Sequence, residues 1–223
     1  MPAQPSHKDS EPDGDAGTRE LRADARHNRD RILRAAREAY AAQGLDVPVT
    51  TIARRAGVGV ATLYRRFPTR ASLVTEAFAE QFSLCVSVLD EALGDPDPWH
   101  GFCSAVEKVC AMQAADRGFT GAFLSEFPDN AGYHQERTRA EEGLDELVRR
   151  AKASGQLRQD FDRSDIALLL LANSGLGGAP TEASAAASRR LVAYLLQSFR
   201  AEGARPLPAP APLELAQVHE PAP

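Results

Sequence analysis

What this sequence lacks narrows its class before any motif is considered. Its longest apolar run, Ile166–Ala172, falls well short of the roughly 18 residues a membrane span requires. The first residues are acidic and polar with no apolar h-region, so no secretory signal is expected and the chain is read as cytoplasmic, without membrane contact. Three cysteines, Cys85, Cys103 and Cys110, are an odd number without metal-ligand spacing. Cys103 and Cys110 share a helix face but are too far apart along it for a disulfide. His100 and His134 stand isolated, so neither metal nor cofactor is expected. No stretch of alternating β-branched residues is long enough for a strand, and no internal repeat is visible. The G-x-S-x-G, P-loop, H-E-x-x-H and dinucleotide-binding glycine patterns are all missing, which leaves an enzyme as the weaker alternative. The acidic pairs Glu141-Glu142 and Asp145-Glu146 lie among Arg137, Arg139, Arg149 and Arg150, the charge pattern of a solvated helix face.

What is present is strongly segregated charge. The chain has 223 residues, 43% of them hydrophobic and 26% charged, as in an ordinary globular protein, with a net charge of −5. Residues 1–24 carry 3 Lys or Arg against 6 Asp or Glu. Residues 25–75 reverse this, with 10 Arg, no Lys and only Asp30, Glu38 and Asp46 in opposition. Residues 76–223 return to 13 against 22. A basic module on an acidic body suits docking to a phosphate backbone at one end only. A non-specific architectural DNA binder, the other alternative, would spread positive charge more widely.

Periodicity predicts an all-α chain of about nine helices. Residues 1–24, rich in Pro, Asp, Glu, Gly and Ser, read as a disordered acidic tail. A helix follows over 25–43, with Ile32, Leu33, Ala36, Ala39 and Tyr40 inward and Arg29, Arg31, Arg34 and Arg37 outward. Asn28 is a candidate cap, and Gly44 closes the helix. Pro48 takes the N-cap position of the next, placing Thr50 and Thr51 in a first turn that points amides and hydroxyls at phosphate. One long helix is predicted from Arg70 to about Leu93, with Thr69 as its cap. The break Gly94–Pro98 precedes a helix to about Ala115. Phe119–Phe127 reads as a short aromatic segment. A helix over 131–154 ends at Gly155. An apolar helix opens at Ser164 or Asp165, and a last one spans 182–202. Residues 203–223 read as a disordered Pro/Ala-rich tail. The predicted organisation is a basic helical module over 25–75 and a larger all-helical body over 76–202.

The stretch VTTIARRAGVGVATLYRRFPTRASL, residues 49–73, carries the functional signal. Ile52, Ala53 and Ala56 form an apolar stripe, and Gly57 then breaks the period where a left-handed C′ residue is wanted. Val60 to Phe67 resumes it with Leu63 and Phe67 inward and Thr62, Tyr64, Arg65 and Arg66 outward. Pro68 stops the second helix. Helix, tight turn and a second helix with exposed hydroxyls and guanidiniums make a helix-turn-helix, a module that lays its second helix in a DNA major groove.

Residues 27–75, through Ile52-Ala53, Ala56-Gly57-Val58, Leu63-Tyr64 and Phe67, resemble the DNA-binding domain of tetracycline-repressor (TetR) family regulators. Gly155-Gln156-Leu157-Arg158 before an Asp-led apolar helix is a looser echo of the same family. The resemblance implies a transcriptional regulator that binds a palindromic operator in double-stranded DNA as a homodimer and is released by an unidentified small-molecule effector. It implies that Val60, Ala61, Thr62 and Arg65 face base edges, that Tyr64 and Arg66 reach base or backbone, and that Thr50 and Arg70 contact phosphate. Gly59 and Val60 depart from the family's usual serine and lysine, leaving fewer donors and more apolar surface for thymine methyls. The family's dimer face falls on Ile166–Leu176 and Arg189–Phe199, with Ile166, Leu170, Leu171, Leu191 and Leu195 as its apolar residues. The nearly all-round apolar character of the first of these helices independently requires cover on both sides. Candidate effector-lining residues are Trp99, Phe102, Val106, Cys110, Phe119, Phe123, Phe127 and Asn173, with an ordinary core role the default for each aromatic.

Overall fold

Helix α1, Gly14–Gln43, presents Ile32, Leu33, Ala36, Ala39 and Tyr40 on one buried face because they recur at helical spacing. The computed structural model describes residues 14–124, 131–176 and 181–213. α1 begins eleven residues earlier than the expected Ala25, replacing the disorder expected over 14–24 with helix and placing Asn28 inside the helix, not at its cap. Glu20-Leu21-Arg22-Ala23 are good helix formers, and extending an existing helix escapes the cost of nucleating one. Gly44, at φ +76°, ends α1, its N–H donating to Tyr40 O at 2.9 Å.

Nine further helices follow among the described residues: α2 Val49–Ala56, α3 Val60–Arg66, α4 Arg70–Ala77, α5 Ala79–Leu93, α6 Pro98–Ala115, α7 Arg117–Leu124, α8 Ala131–Ala153, α9 Arg163–Ser174 and α10 Glu182–Ser198. Among the same residues the single β pairing is an isolated antiparallel bridge between Leu157 and Arg200. The fold is all-α, as expected, with ten described helices where about nine were predicted. The extra one arises at Phe78. The predicted long helix from Arg70 divides there into α4 and α5, whose axes meet at 54°. No proline or glycine marks the bend. Phe78 is fully buried between Tyr40 of α1 and Phe119 of α7, at ring-centroid distances of 6.0 and 6.3 Å, and this tertiary anchor turns the chain. Hydrogen bonds from Phe78 N to Val74 O and from Phe82 N to Phe78 O keep the backbone paired across it. Gly118 lets α7 approach α1 closely, since a Cβ there would stand 3.0 Å from Ala41 N and 2.9 Å from Phe78 Cζ.

Local capping chemistry sets the other boundaries. Thr69 and Ser72 form a reciprocal capping box at α4, as do Asp162 with Asp165 at α9 and Thr181 with Ser184 at α10. Asp162, rather than Ser164 or Asp165, is therefore the cap of the apolar helix. α10 stops at Ser198, short of the predicted Glu202, because the chain then pairs with residues 156–158: Arg158 N donates to Phe199 O and Ala201 N to Gln156 O. The Gln156-Leu157-Arg158 stretch noted in the sequence thus closes the body. Arg158, 6% exposed, grips Asp160 through Nε and Nη2 at 2.6 and 2.9 Å and also donates to Ser198 O and Arg205 O. Leu207 N donates to Asp160 Oδ2, so part of the segment expected to be a disordered tail is pinned to the body.

Two large apolar clusters result. The first joins α1–α4 to Phe82 and Cys85 of α5 and to Phe119 and Ala122 of α7, so it continues past residue 75 without a gap. The second gathers Trp99, Phe102, Cys110, Phe161, Ile166, Leu170 and Phe199 around α6, α9 and α10.

Candidate nucleic-acid interface and buried cavity

The turn between α2 and α3 has the geometry its glycine predicts. Gly57 lies at φ 63°, ψ 35°, and the paired bonds Val58 N to Ala53 O and Gly57 N to Arg54 O complete a Schellman closure of α2. Arg31 of α1 adds a guanidinium bond to Ala56 O, which fixes the end of α2 against α1. α3 then rests on Leu63, 1% exposed, and on fully buried Phe67. That anchoring turns Val60, Ala61, Tyr64, Arg65 and Arg66 to the surface, with Thr62 half-buried at the edge. Tyr64, at 47% exposure, is a large aromatic that the fold leaves uncovered. Arg65 Nη2 meets Thr62 Oγ1 at 3.2 Å, so a hydroxyl and a guanidinium project together. Pro48 caps α2 without a side-chain bond, leaving exposed Thr50 and half-buried Thr51 in a first turn whose early amides lack helical partners.

Arg70 behaves differently from the rest. It donates to Leu45 O and to Asp46 Oδ1, the latter at 3.0 Å, bracing the α1–α2 loop against α4. Other arginines expected to face outward are also committed within the protein. Arg29 pairs with Glu76 at 2.7 Å and Arg37 donates to Ala77 O at 3.3 Å, tying α1 to α4. These bracing roles depend on distant partners and left no signature in the local pattern.

The body contains a cavity between α5, α6, α8 and α9. Its walls include Phe82, Leu89, Val106, Val109, Leu144, Ile166 and Leu170, with Arg137 and Glu141 of α8 as the polar members. Of the effector-lining residues expected from sequence whose side chains are described, Val106 alone lines it. Trp99, Phe102 and Cys110 are packed into the second core, where Trp99 stacks on Phe102 and Phe102 meets Phe161 edge-on. Phe119 belongs to the first core, edge-on to Phe82 at 5.6 Å. Asn173 is buried and structural: its amide donates to Cys110 O and Gln113 Oε1, both at 3.1 Å, and accepts from Ser188 Oγ at 2.7 Å. The side chains of Phe123 and Phe127 lie outside the described residues. The missed lining includes Arg137, Glu141 and Leu144, one turn apart on α8 at a helical spacing the sequence does show.

Two of the residues expected at a dimer face, Ile166 and Leu170, are instead turned into the subunit. Ile166 and Leu170 are 4% and 3% exposed inside the subunit and line the cavity, while Leu171, Leu191 and Leu195 are half-buried. The large apolar side chains that α9, α10 and the turn after α9 leave exposed are Leu168, Leu176 and Tyr194, at 52%, 39% and 56% exposure. Because α9 is apolar on nearly every side, its sequence alone does not reveal which face turns inward.

Burial pushes the thiols of Cys85 and Cys110 up to about 12 and that of Cys103 up to about 11, so none is poised as a nucleophile. Among the described residues no group of three or more His, Cys, Asp or Glu is placed to hold a metal ion, and no single helix is long and apolar enough to cross a membrane.

A buried two-helix support with an exposed polar helix, set on an all-helical body, defines a helix-turn-helix DNA-binding protein. A family model described as bacterial regulatory proteins of the tetR family matches residues 32–77, and one described as the C-terminal domain of SbtR-like transcriptional regulators matches residues 97–201. The TetR transcription regulatory protein of Mycobacterium vanbaalenii is 31% identical, over 81% of this chain and 99% of that one, with a TM-score of 0.44. The regulator SCO0520 of Streptomyces coelicolor is 28% identical over 77% and 98%, with a TM-score of 0.47. PfmR of Thermus thermophilus, at 21% identity over 75% and 98% and a TM-score of 0.56, shares the fold. No curated protein matches the chain. The chain belongs to the TetR family of bacterial transcriptional regulators and is a DNA-binding regulator rather than an enzyme.

Proposed function

We propose that the protein is a cytoplasmic, homodimeric repressor that binds a palindromic operator in double-stranded DNA and releases it when a small molecule fills the α5–α6–α8–α9 cavity. The observation that carries this reading is α3, held from beneath by Leu63 and Phe67 while Thr62, Tyr64, Arg65 and Arg66 project together. Val60, Ala61, Thr62 and Arg65 are its base-facing residues, and Tyr64, Arg66, Thr50 and Thr51 its base or backbone contacts. Arg70 positions the module through Nη2, which meets Leu45 O and Asp46, and offers its other N–H groups to phosphate.

The exposed Leu168, Leu176 and Tyr194 support dimerisation through α9 and α10, since a second copy packed there would cover them. Two copies of α3 would then enter successive major grooves roughly 34–36 Å apart. Release has a physical route in the aromatic contacts that run from the cavity wall to the DNA-binding module: Phe82, Phe119, Phe78, then Tyr40 of α1. Selection of bound fragments from genomic DNA by the full-length protein tests the reading. One recurrent palindrome is expected. Fragments without a shared sequence would favour an architectural binder, a reading the acidic body already disfavours.

A further inference from the structure

The cavity's lining discriminates among ligands by charge. Twelve of its fourteen lining residues are apolar or cysteine. The two ionic ones are committed to each other, Arg137 Nε donating to Glu141 Oε1 at 2.9 Å. Glu141 Oε2 receives Arg163 Nη2 at 2.9 Å, and Arg163 Nη1 reaches Asp145 Oδ2 at 3.1 Å. From the polar edge of the cavity outward the charges therefore run plus, minus, plus, minus and cancel. Burial pushes the Glu141 carboxyl up, but the hydrogen bonds and charges of Arg137 and Arg163 outweigh it and hold the group below its usual range, so this edge stays ionised near neutral pH. Cys85, the sulfur in the wall, stays a protonated thiol there and adds no charge.

A ligand with net charge would lose its hydration against these walls and meet only ions that already have partners. Burying an ion without a matching opposite charge is strongly unfavourable, and removing one member of an existing buried pair strands the other. A carboxylate at Arg137 would share that guanidinium with Glu141, whose like charge opposes it. A cation could reach Glu141 only past two arginines. Phosphate-bearing heads are disfavoured further, because they carry more than one negative charge. The walls, by contrast, suit an apolar body.

Resting on the effector reading above, we infer that the cavity takes an uncharged, predominantly apolar molecule with at most one hydroxyl or carbonyl, whose polar atom meets the Arg137–Glu141 pair and whose body lies against Phe82, Val109, Leu144 and Ile166. Three probes that share one chain and differ in head charge test this: decanol, decanoate and decyltrimethylammonium. Each is titrated into the full-length protein against bound Nile red, with calorimetry as a second readout. Decanol is expected to displace the dye at concentrations lower by about tenfold or more than either ion needs. Leu144→Trp and, separately, Ala140→Leu should each weaken decanol binding while unfolding remains cooperative; the second, smaller change guards against misfolding of the first. Decanoate or the cation binding as tightly as decanol would overturn the inference, as would failure of all three to displace the dye, or displacement that neither variant alters. Decanol binding that leaves operator affinity unchanged would support the ligand class and remove the release function proposed above.

Discussion

Arg158 and Asp160 show how much a single residue can organise in this chain. The Arg158 guanidinium joins the end of α10, the Asp160 loop and the segment at Arg205. Its hydrogen bond, with that from Leu207 N, holds the Asp160 carboxyl far below the usual carboxylate range. Because the folded-state value lies below the unfolded one of about 3.9, the contribution is complete above that pH and fades as pH falls through it. Thermal midpoints of the wild type should therefore drop on acidification below about pH 4, and Asp160→Asn should lower the neutral-pH midpoint while flattening that acid-side fall. A variant with an unchanged midpoint at neutral pH would contradict the clamp. The cysteines give a second residue-scale expectation. Native protein should react slowly with a thiol reagent near neutral pH, since burial keeps Cys85, Cys103 and Cys110 protonated, and all three should react on unfolding. On the DNA face, Arg66→Ala should reduce the log K–log salt slope by about 0.9, the share of one phosphate contact. Arg70→Ala should change that slope less and destabilise the module more, because its guanidinium is engaged with Leu45 O and Asp46.

At the scale of elements, the decisive feature is the bend at Phe78. Helix α4 packs with the DNA-binding module and α5 with the cavity, and the aromatic contacts at their junction make one mechanical unit of the two. Phe119→Ala should cost about 3–5 kcal/mol in denaturant unfolding, the usual cost of emptying a buried aromatic site. Phe119→Leu should cost less yet reduce the effect of a bound cavity ligand on operator affinity, read by comparing DNA binding with and without ligand. The helix-turn-helix was plain in the sequence because its determinants are local: Gly57 for a left-handed turn, Leu63 and Phe67 at helical spacing, Pro68 as a stop. The bend at Phe78 was not, because nothing in Val74–Phe82 breaks a helix; its partners Tyr40 and Phe119, far off in the chain, do. The cavity escaped for a related reason. Aromatics are the natural guess for a pocket, yet Trp99, Phe102 and Phe119 fill cores, and the lining is mostly aliphatic surface from four helices brought together only by folding.

For the molecule as a whole, the proposed reading sets a basic reader on an acidic body and holds two such readers at a fixed spacing. Leu168→Arg, on the uncovered face of α9, should convert the proposed dimer to a folded monomer in analytical ultracentrifugation and weaken operator binding steeply. Leu170→Arg, by contrast, would place a charge inside the subunit and should impair folding itself. The claim on which the rest depends is that α3 reads base edges. It is tested most directly by titrating wild type, Thr62→Ala and Arg65→Ala against the selected operator and a set of its single-base-pair variants. The prediction is that each substitution relaxes the preference at particular base pairs by about 1–3 kcal/mol and leaves the others unaltered. A uniform loss across every operator variant would mean that α3 contacts only the backbone, contradicting the account.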